Sequence, residues 1–193
     1  MIMQSGREAK SIYKYIAISL GLLVVGMVLG VIVPKTETPL SESPLFEILS
    51  PYVEMYKPYE FATVMFLFAK NSLTVGLAFF LSPLLLIFPI IILVLNGFMT
   101  GFIASALPID LAIKALAPHG IFELPALVLA AAGGLCFGAG VIRKIVRRIR
   151  GKEYEVSKDF KIGLRLFVIS LVLLFVAAII ETYVTPFIVG YVP

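Results

Sequence analysis

The chain has one histidine, His119, and it stands four residues before Glu123 in Pro118-His119-Gly120-Ile121-Phe122-Glu123-Leu124-Pro125-Ala126, at the head of a long apolar run. An imidazole and a carboxylate one helical turn apart can pass a proton, hold a cation or pair with each other. Placed in hydrocarbon, any of these is costly, which points to function. Four more polar side chains lie inside apolar stretches: Lys70, Asn71, Asn96 and Glu181. The competing reading is structural, with His119 and Glu123 satisfying each other between packed helices.

The elements that must position these residues follow from composition. With 60% hydrophobic and 15% charged residues in 193 positions, the chain cannot bury its apolar surface in one soluble core. A mean hydropathy of +1.04 agrees, and the fold class expected is an all-α polytopic membrane helix bundle. The single cysteine, Cys136, excludes an internal disulfide framework and a thiolate metal cluster. The net charge of +4 is concentrated in one short segment beside an apolar run, so lipid headgroups rather than nucleic acid are the expected partner.

Five spans are expected, at about 15–33, 61–81, 84–106, 119–142 and 162–184, in a single membrane domain covering 1–193. The first follows Arg7, Lys10 and Lys14 and reads as a retained anchor rather than a cleaved leader. Residues 34–60 are proline-rich and acidic and read as an outer loop, with Tyr52, Tyr56, Tyr59 and Phe61 at headgroup level. The run 61–107 is too long for one span, and Ser82-Pro83 divides it into a hairpin. That hairpin puts the basic segment 143–161 on the same side as the N-terminus, as the positive-inside rule requires. The N-terminus is then cytoplasmic and the C-terminus outside. Residues 108–118, bounded by prolines and pairing Asp110 with Lys114, are expected to lie flat on the outer interface.

In this topology Asn71 and Asn96 fall near mid-bilayer, while His119, Glu123 and Glu181 lie toward the outer side. The simplest geometry joining them is an outward-open polar pocket lined by spans two to five. Stripes of small residues accompany it: Asn96, Thr100 and Ala104; Ala126, Ala130 and Gly134; Ala177 and Ala178. Such stripes face protein more often than lipid. Pro125 removes the hydrogen bond to the Ile121 carbonyl, so a broken or re-entrant helix near 118–125 competes with a simple kink. Lys70 either pairs with Glu123 or Glu181 or snorkels outward. The spacings Gly26-x-x-x-Gly30, Gly97-x-x-x-Gly101 and Gly134-x-x-x-Gly138 allow close helix approach within a protomer or between protomers.

No H-E-x-x-H, G-x-S-x-G or phosphate-binding glycine loop is present, and no cofactor is expected. One imidazole makes a poor zinc site. An intramembrane metallohydrolase built on His119, Glu123 and Glu181 is a remote alternative, and metal binding stays open.

The run Ala117 to Ala126, followed by small residues through Gly140, closely resembles the signature of the stage II sporulation protein M family of integral membrane proteins. Lys70-Asn71 sits where that family often shows paired asparagines, with lysine a departure. Leu95-Asn96-Gly97-Phe98-Met99-Thr100-Gly101 and Ile180-Glu181-Thr182-Tyr183-Val184-Thr185-Pro186 resemble two further family segments. The resemblance covers roughly 61–186. It implies a multi-pass cell-membrane protein, and the family's namesake is a membrane scaffold for peptidoglycan hydrolases in spore formers.

Two functions are therefore expected to compete. One is a non-enzymatic membrane scaffold that assembles with other membrane or extracytoplasmic proteins. The other is a proton- or cation-coupled transporter or channel-like protein using His119, Glu123 and Glu181, with Asn71 and Asn96 along the path. The expected partners are membrane lipids, those proteins, a second copy of the chain and a proton or cation.

Overall fold

The computed structural model describes residues 2–33 and 55–191, with side chains from residue 12 onward in the first helix. Most of the acidic loop expected at 34–60, including Tyr52, lies outside the described residues. The described chain is all helical. In order, α1 is Ile2–Ile32, α2 Phe61–Phe80, α3 Ile87–Ala106, α4 Ile109–Ile149 and α5 Ser157–Ile179. A π-helical turn, Ile180–Val184, then leads into a short α6, Thr185–Val189. Among the described residues, five helices are long and apolar enough to cross a membrane.

The α4 helix is the axis of the bundle, with 67% of its apolar window buried where the other four reach 22–33%. Its middle, Ala126 to Gly140, is nearly all alanine, glycine, leucine and valine, and small side chains there let three neighbours close in. Gly133 of α4 faces Gly163 of α5, and a Cβ on Gly133 would come within 2.7 Å of the Gly163 carbonyl oxygen. Gly134 and Gly138 sit against Ala78 and Ser82 at the end of α2. The Ser82 hydroxyl there donates to the Gly134 carbonyl. Phe79 fills the space these contacts leave, fully buried and stacked on Phe137 and Phe167 at centroid distances of 5.8 and 5.0 Å. Pairs of this kind contribute about 0.5–1.5 kcal/mol beyond area burial.

The remaining two glycine motifs serve each other. Gly26 and Gly30 of α1 lie against the backbone of Val94, Phe98 and Phe102 on α3, and Gly97 and Gly101 of α3 lie against Leu23 and Met27 on α1. The two helices run in the same direction, touching backbone to backbone. All three Gly-x-x-x-Gly spacings are thus engaged inside one chain.

Two local expectations differ from what is observed. Residues 109–118 are no separate interfacial segment: they are the first turns of α4, which continues through both Pro118 and Pro125 for 41 residues without a break. Prolines are tolerated inside membrane helices because neighbouring groups re-satisfy the backbone. At about 1.5 Å per residue, α4 is roughly 60 Å long, twice a bilayer core. Its other end absorbs Arg143 to Ile149, so the turn to α5 is only 150–156.

Candidate functional site

Helices α2, α4 and α5 with its π-helical turn converge on a small cavity of about 130 Å³. Its polar lining is Lys70 and Asn71 from α2, His119 and Glu123 from α4, and Glu181 from the π-helical turn. Leu67, Ala177 and Ala178 close it. The imidazole is held from two sides. Its Nδ1 is in direct contact with the Glu181 carboxylate, and its Nε2 lies 3.9 Å from Glu123 Oε2. Side-chain exposure is 15% for His119, 25% for Glu123 and 27% for Glu181. Five of the six polar residues singled out from sequence therefore meet.

Asn96 does not join them. It lines an adjoining groove between α3 and α4, and its amide nitrogen donates to its own helix, to the Ile92 carbonyl at 2.7 Å. Thr100 likewise donates to the Asn96 carbonyl at 2.9 Å. His119 and Glu123 line both spaces, so they form the partition between a polar cavity and an apolar groove. Among the described residues, no group of three or more His, Cys, Asp or Glu side chains is arranged to hold a metal ion.

Glu181 owes its position to the backbone around it. Pro186 has no N–H to offer the Thr182 carbonyl, and its ring crowds that carbonyl. The Thr185 N–H reaches back to the Ile180 carbonyl, five residues away, which leaves the Glu181 carbonyl without its helical donor. Both carbonyls are taken up by the segment before α2. The Tyr59 N–H donates to the Thr182 carbonyl at 3.1 Å, and the Tyr56 hydroxyl donates to the Glu181 carbonyl at 2.9 Å. Tyr59 adopts a left-handed φ of 65° to do so, an unusual conformation for a side-chain-bearing residue. Its hydroxyl donates to the Tyr191 carbonyl at 3.2 Å, just past the left-handed Gly190 that ends α6. Sites with π-helical turns are often functional. Sequence alone puts Tyr56 and Tyr59 only at headgroup level, although Pro186 signals an orphaned carbonyl at Thr182.

Burial, then the Glu181 carboxylate, push the Tyr56 hydroxyl up from the ordinary 10.0 to about 12. A raised acid holds its proton more tightly in the fold than unfolded, so its stabilisation is intact below pH 10 and is lost as pH rises through about 12. Tyr56→Phe should therefore lose the hydrogen bond, about 1 kcal/mol, and flatten the alkaline limb of a thermal-unfolding pH series. An unchanged alkaline limb would mean that Tyr56 does not anchor the turn.

A second charged cluster stands at the other end of the bundle. Asp159, 9% exposed in the first turn of α5, accepts from Arg143 Nη2 at 3.1 Å and from the Tyr154 hydroxyl at 2.8 Å. Arg143 and Arg147 also lie over the Tyr154 ring, with Cζ 5.4 and 5.1 Å from its centroid. Burial and the hydrogen bond to Asp159 raise the Tyr154 hydroxyl's pKa.

The family model described as Stage II sporulation protein M matches residues 19–186, which takes in every helix that builds the cavity. The chain belongs to the stage II sporulation protein M family. Together with five apolar helices, membership in that family makes it a multi-pass integral membrane protein. Two curated relatives are similar to it, both from Methanocaldococcus jannaschii. Uncharacterized protein MJ0706 is 33% identical over 116 residues, 60% of this chain and 53% of the relative. Uncharacterized protein MJ0793 is 32% identical over 134 residues, 66% of this chain and 68% of the relative. The match thus spans about half of the first relative's length and two thirds of the second's. No solved structure matches this stage II sporulation protein M family chain.

Proposed function

We propose that this chain is a multi-pass protein of the cell membrane that binds and passes a proton at His119, Glu123 and Glu181. The observation that carries the reading is the imidazole held between two carboxylates, with Lys70 and Asn71, in one cavity inside a membrane bundle. In formal charges, one lysine and two glutamates leave a single negative charge, and one proton on the imidazole cancels it. The cluster is thus electrically closed with the proton and open without it, a condition that low-dielectric surroundings make steep. A bundle needing only structure would be at least as stable with apolar residues of similar volume in these positions. In this reading the protein is not an enzyme. The basic turn at the Asp159 end faces the cytoplasm and the cavity lies toward the outer side.

Purified protein in sealed vesicles, with a pH-sensitive dye inside and a potassium-set potential, tests the reading. Wild-type vesicles should acidify or alkalinise faster than empty ones, and His119→Ala, Glu123→Gln and Glu181→Gln should each fall to the empty-vesicle rate. A Glu123→Gln rate equal to wild type would end the proposal. Support for a scaffold role comes from family membership, and that role leaves the charged cavity without a purpose. Wild-type vesicles without proton flux, from a protein that still captures a membrane or extracytoplasmic partner, would favour the scaffold.

A further inference from the structure

The groove beside the polar cavity is the larger of the two spaces, about 610 Å³ against about 130 Å³. It runs between α3 and the N-terminal half of α4, on walls that include Ala112, Leu116, Leu124 and Leu127. Ile109, Ile113 and Ile121 on its rim are 79, 61 and 67% exposed, so the groove opens at the surface of the bundle rather than into its core. Its volume is in the range of small-molecule sites, about 300–1,000 Å³.

The polar side chains on this groove are few: Asn96, Thr100, His119 and Glu123. One of the two Asn96 amide protons and the Thr100 hydroxyl proton are already spent on their own helix. His119 and Glu123 are the two lining side chains that can carry charge, and His119 is drawn to Glu181 through Nδ1. His119 Nε2 is 3.9 Å from Glu123, beyond a normal hydrogen bond, Lys70 shares the cavity with it, and a quarter of the Glu123 side chain remains exposed. A partly exposed carboxylate therefore stands in the wall of an apolar groove. A phosphate or carboxylate headgroup would be repelled by it, and an uncharged chain would desolvate it without compensation. A cation with a large apolar body meets both demands.

We infer that this groove is a binding site for a lipophilic cation entering from the bilayer, with Glu123 as its counter-ion. The inference deepens the proton reading and rests on it in one respect, since proton and cation compete for the single negative charge of the cluster. The groups facing Glu123 are His119 on its own helix, Lys70 from α2 and Glu181 from the π-helical turn. A proton taken up anywhere in this cluster cancels the charge that would hold the cation. Cation uptake then displaces a proton, which is the coupling an exchanger needs.

Tetraphenylphosphonium is the probe, offered to the purified full-length protein in detergent micelles by equilibrium dialysis. Saturable binding is expected at mildly alkaline pH, weakening about tenfold or more in mild acid, a loss of about 1.4 kcal/mol per decade. Glu123→Gln should lose about as much at alkaline pH, while Glu123→Asp keeps pH-dependent binding. Ala104→Leu narrows the groove and should weaken binding at both pH values, so the test survives if Glu123→Gln fails to fold. No wild-type binding, wild-type affinity in either Glu123→Gln or Ala104→Leu, or equal binding of uncharged tetraphenylsilane would each overturn the inference. The two readings separate cleanly. Lost proton flux with intact phosphonium binding sinks the proton path alone, and intact flux without phosphonium binding sinks this site alone.

Discussion

Gly97→Leu is expected to separate α1 from α3 and to lower the thermal unfolding midpoint of the purified protein sharply. A Cβ at position 97 would come within 3.0 Å of the Met27 nitrogen and 3.1 Å of the Leu23 carbonyl carbon, and closer still to the Leu23 carbonyl oxygen. These are backbone atoms, and they cannot swing aside. Gly101 is equally tight, its Cβ falling 2.8 Å from the Met27 carbonyl carbon. Relief requires the two helices to move apart, which breaks the packing that buries Leu23 and Leu93. In membranes, where lipid tails solvate leucine as well as protein does, close backbone contact is much of what drives this pairing. A cost of about 3 kcal/mol or more is expected, at the upper end for overpacking. Gly21→Ala is the internal control, because a Cβ there meets nothing within 4 Å. It should leave the midpoint unchanged or raise it slightly through helix propensity. A Gly97→Leu protein that unfolds at the wild-type temperature would show that the close crossing contributes little.

Asp159→Ala should cost about 3 kcal/mol, read from the same unfolding midpoints, by stripping Arg143 and Tyr154 of their common acceptor. The carboxylate is nearly enclosed, and Gly140 lies directly against it. Arg143 is 39% exposed and can turn to solvent, so its own truncation should cost less. The double variant Asp159→Ala with Arg143→Ala should recover part of the loss, giving a coupling of about 1 kcal/mol or more. Strict additivity would mean that the two side chains act separately.

Asp159 also illustrates what the sequence could not disclose. In the string from Arg143 to Lys161 it is one of three acids against eight bases, and averaging over that segment yields a topological signal while hiding a buried acceptor. Span number was legible because hydropathy marks the apolar stretches and the basic segment 143–161 selects a hairpin over a single span for 61–107, and the helices on either side of Ser82-Pro83 end at Phe80 and begin at Ile87. Helix ends were less so. Hydrogen bonding carries α4 through Pro118 on one side and through Arg143 to Ile149 on the other, well past the apolar limits. Depth pointed to Asn71, Asn96, His119, Glu123 and Glu181 and left Lys70 either pairing or snorkelling, whereas helix rotation about the axis, which turns Asn96 toward the groove, leaves no trace in depth. Tyr56 lies 125 positions from its acceptor, and that pairing exists only once the bundle has closed.

The widened turn at Ile180–Val184 has a bearing on insertions and deletions. It holds one residue more than an ordinary turn covering the same arc, and each residue rotates an α-helix by about 100°. Loss of a single codon just upstream of Glu181 would swing the carboxylate about a quarter-turn around its axis, off the imidazole, with every side chain of the cavity still encoded. Chain length at this point is thus inherited as part of the site, and a residue-by-residue comparison that ignores gaps would overlook it.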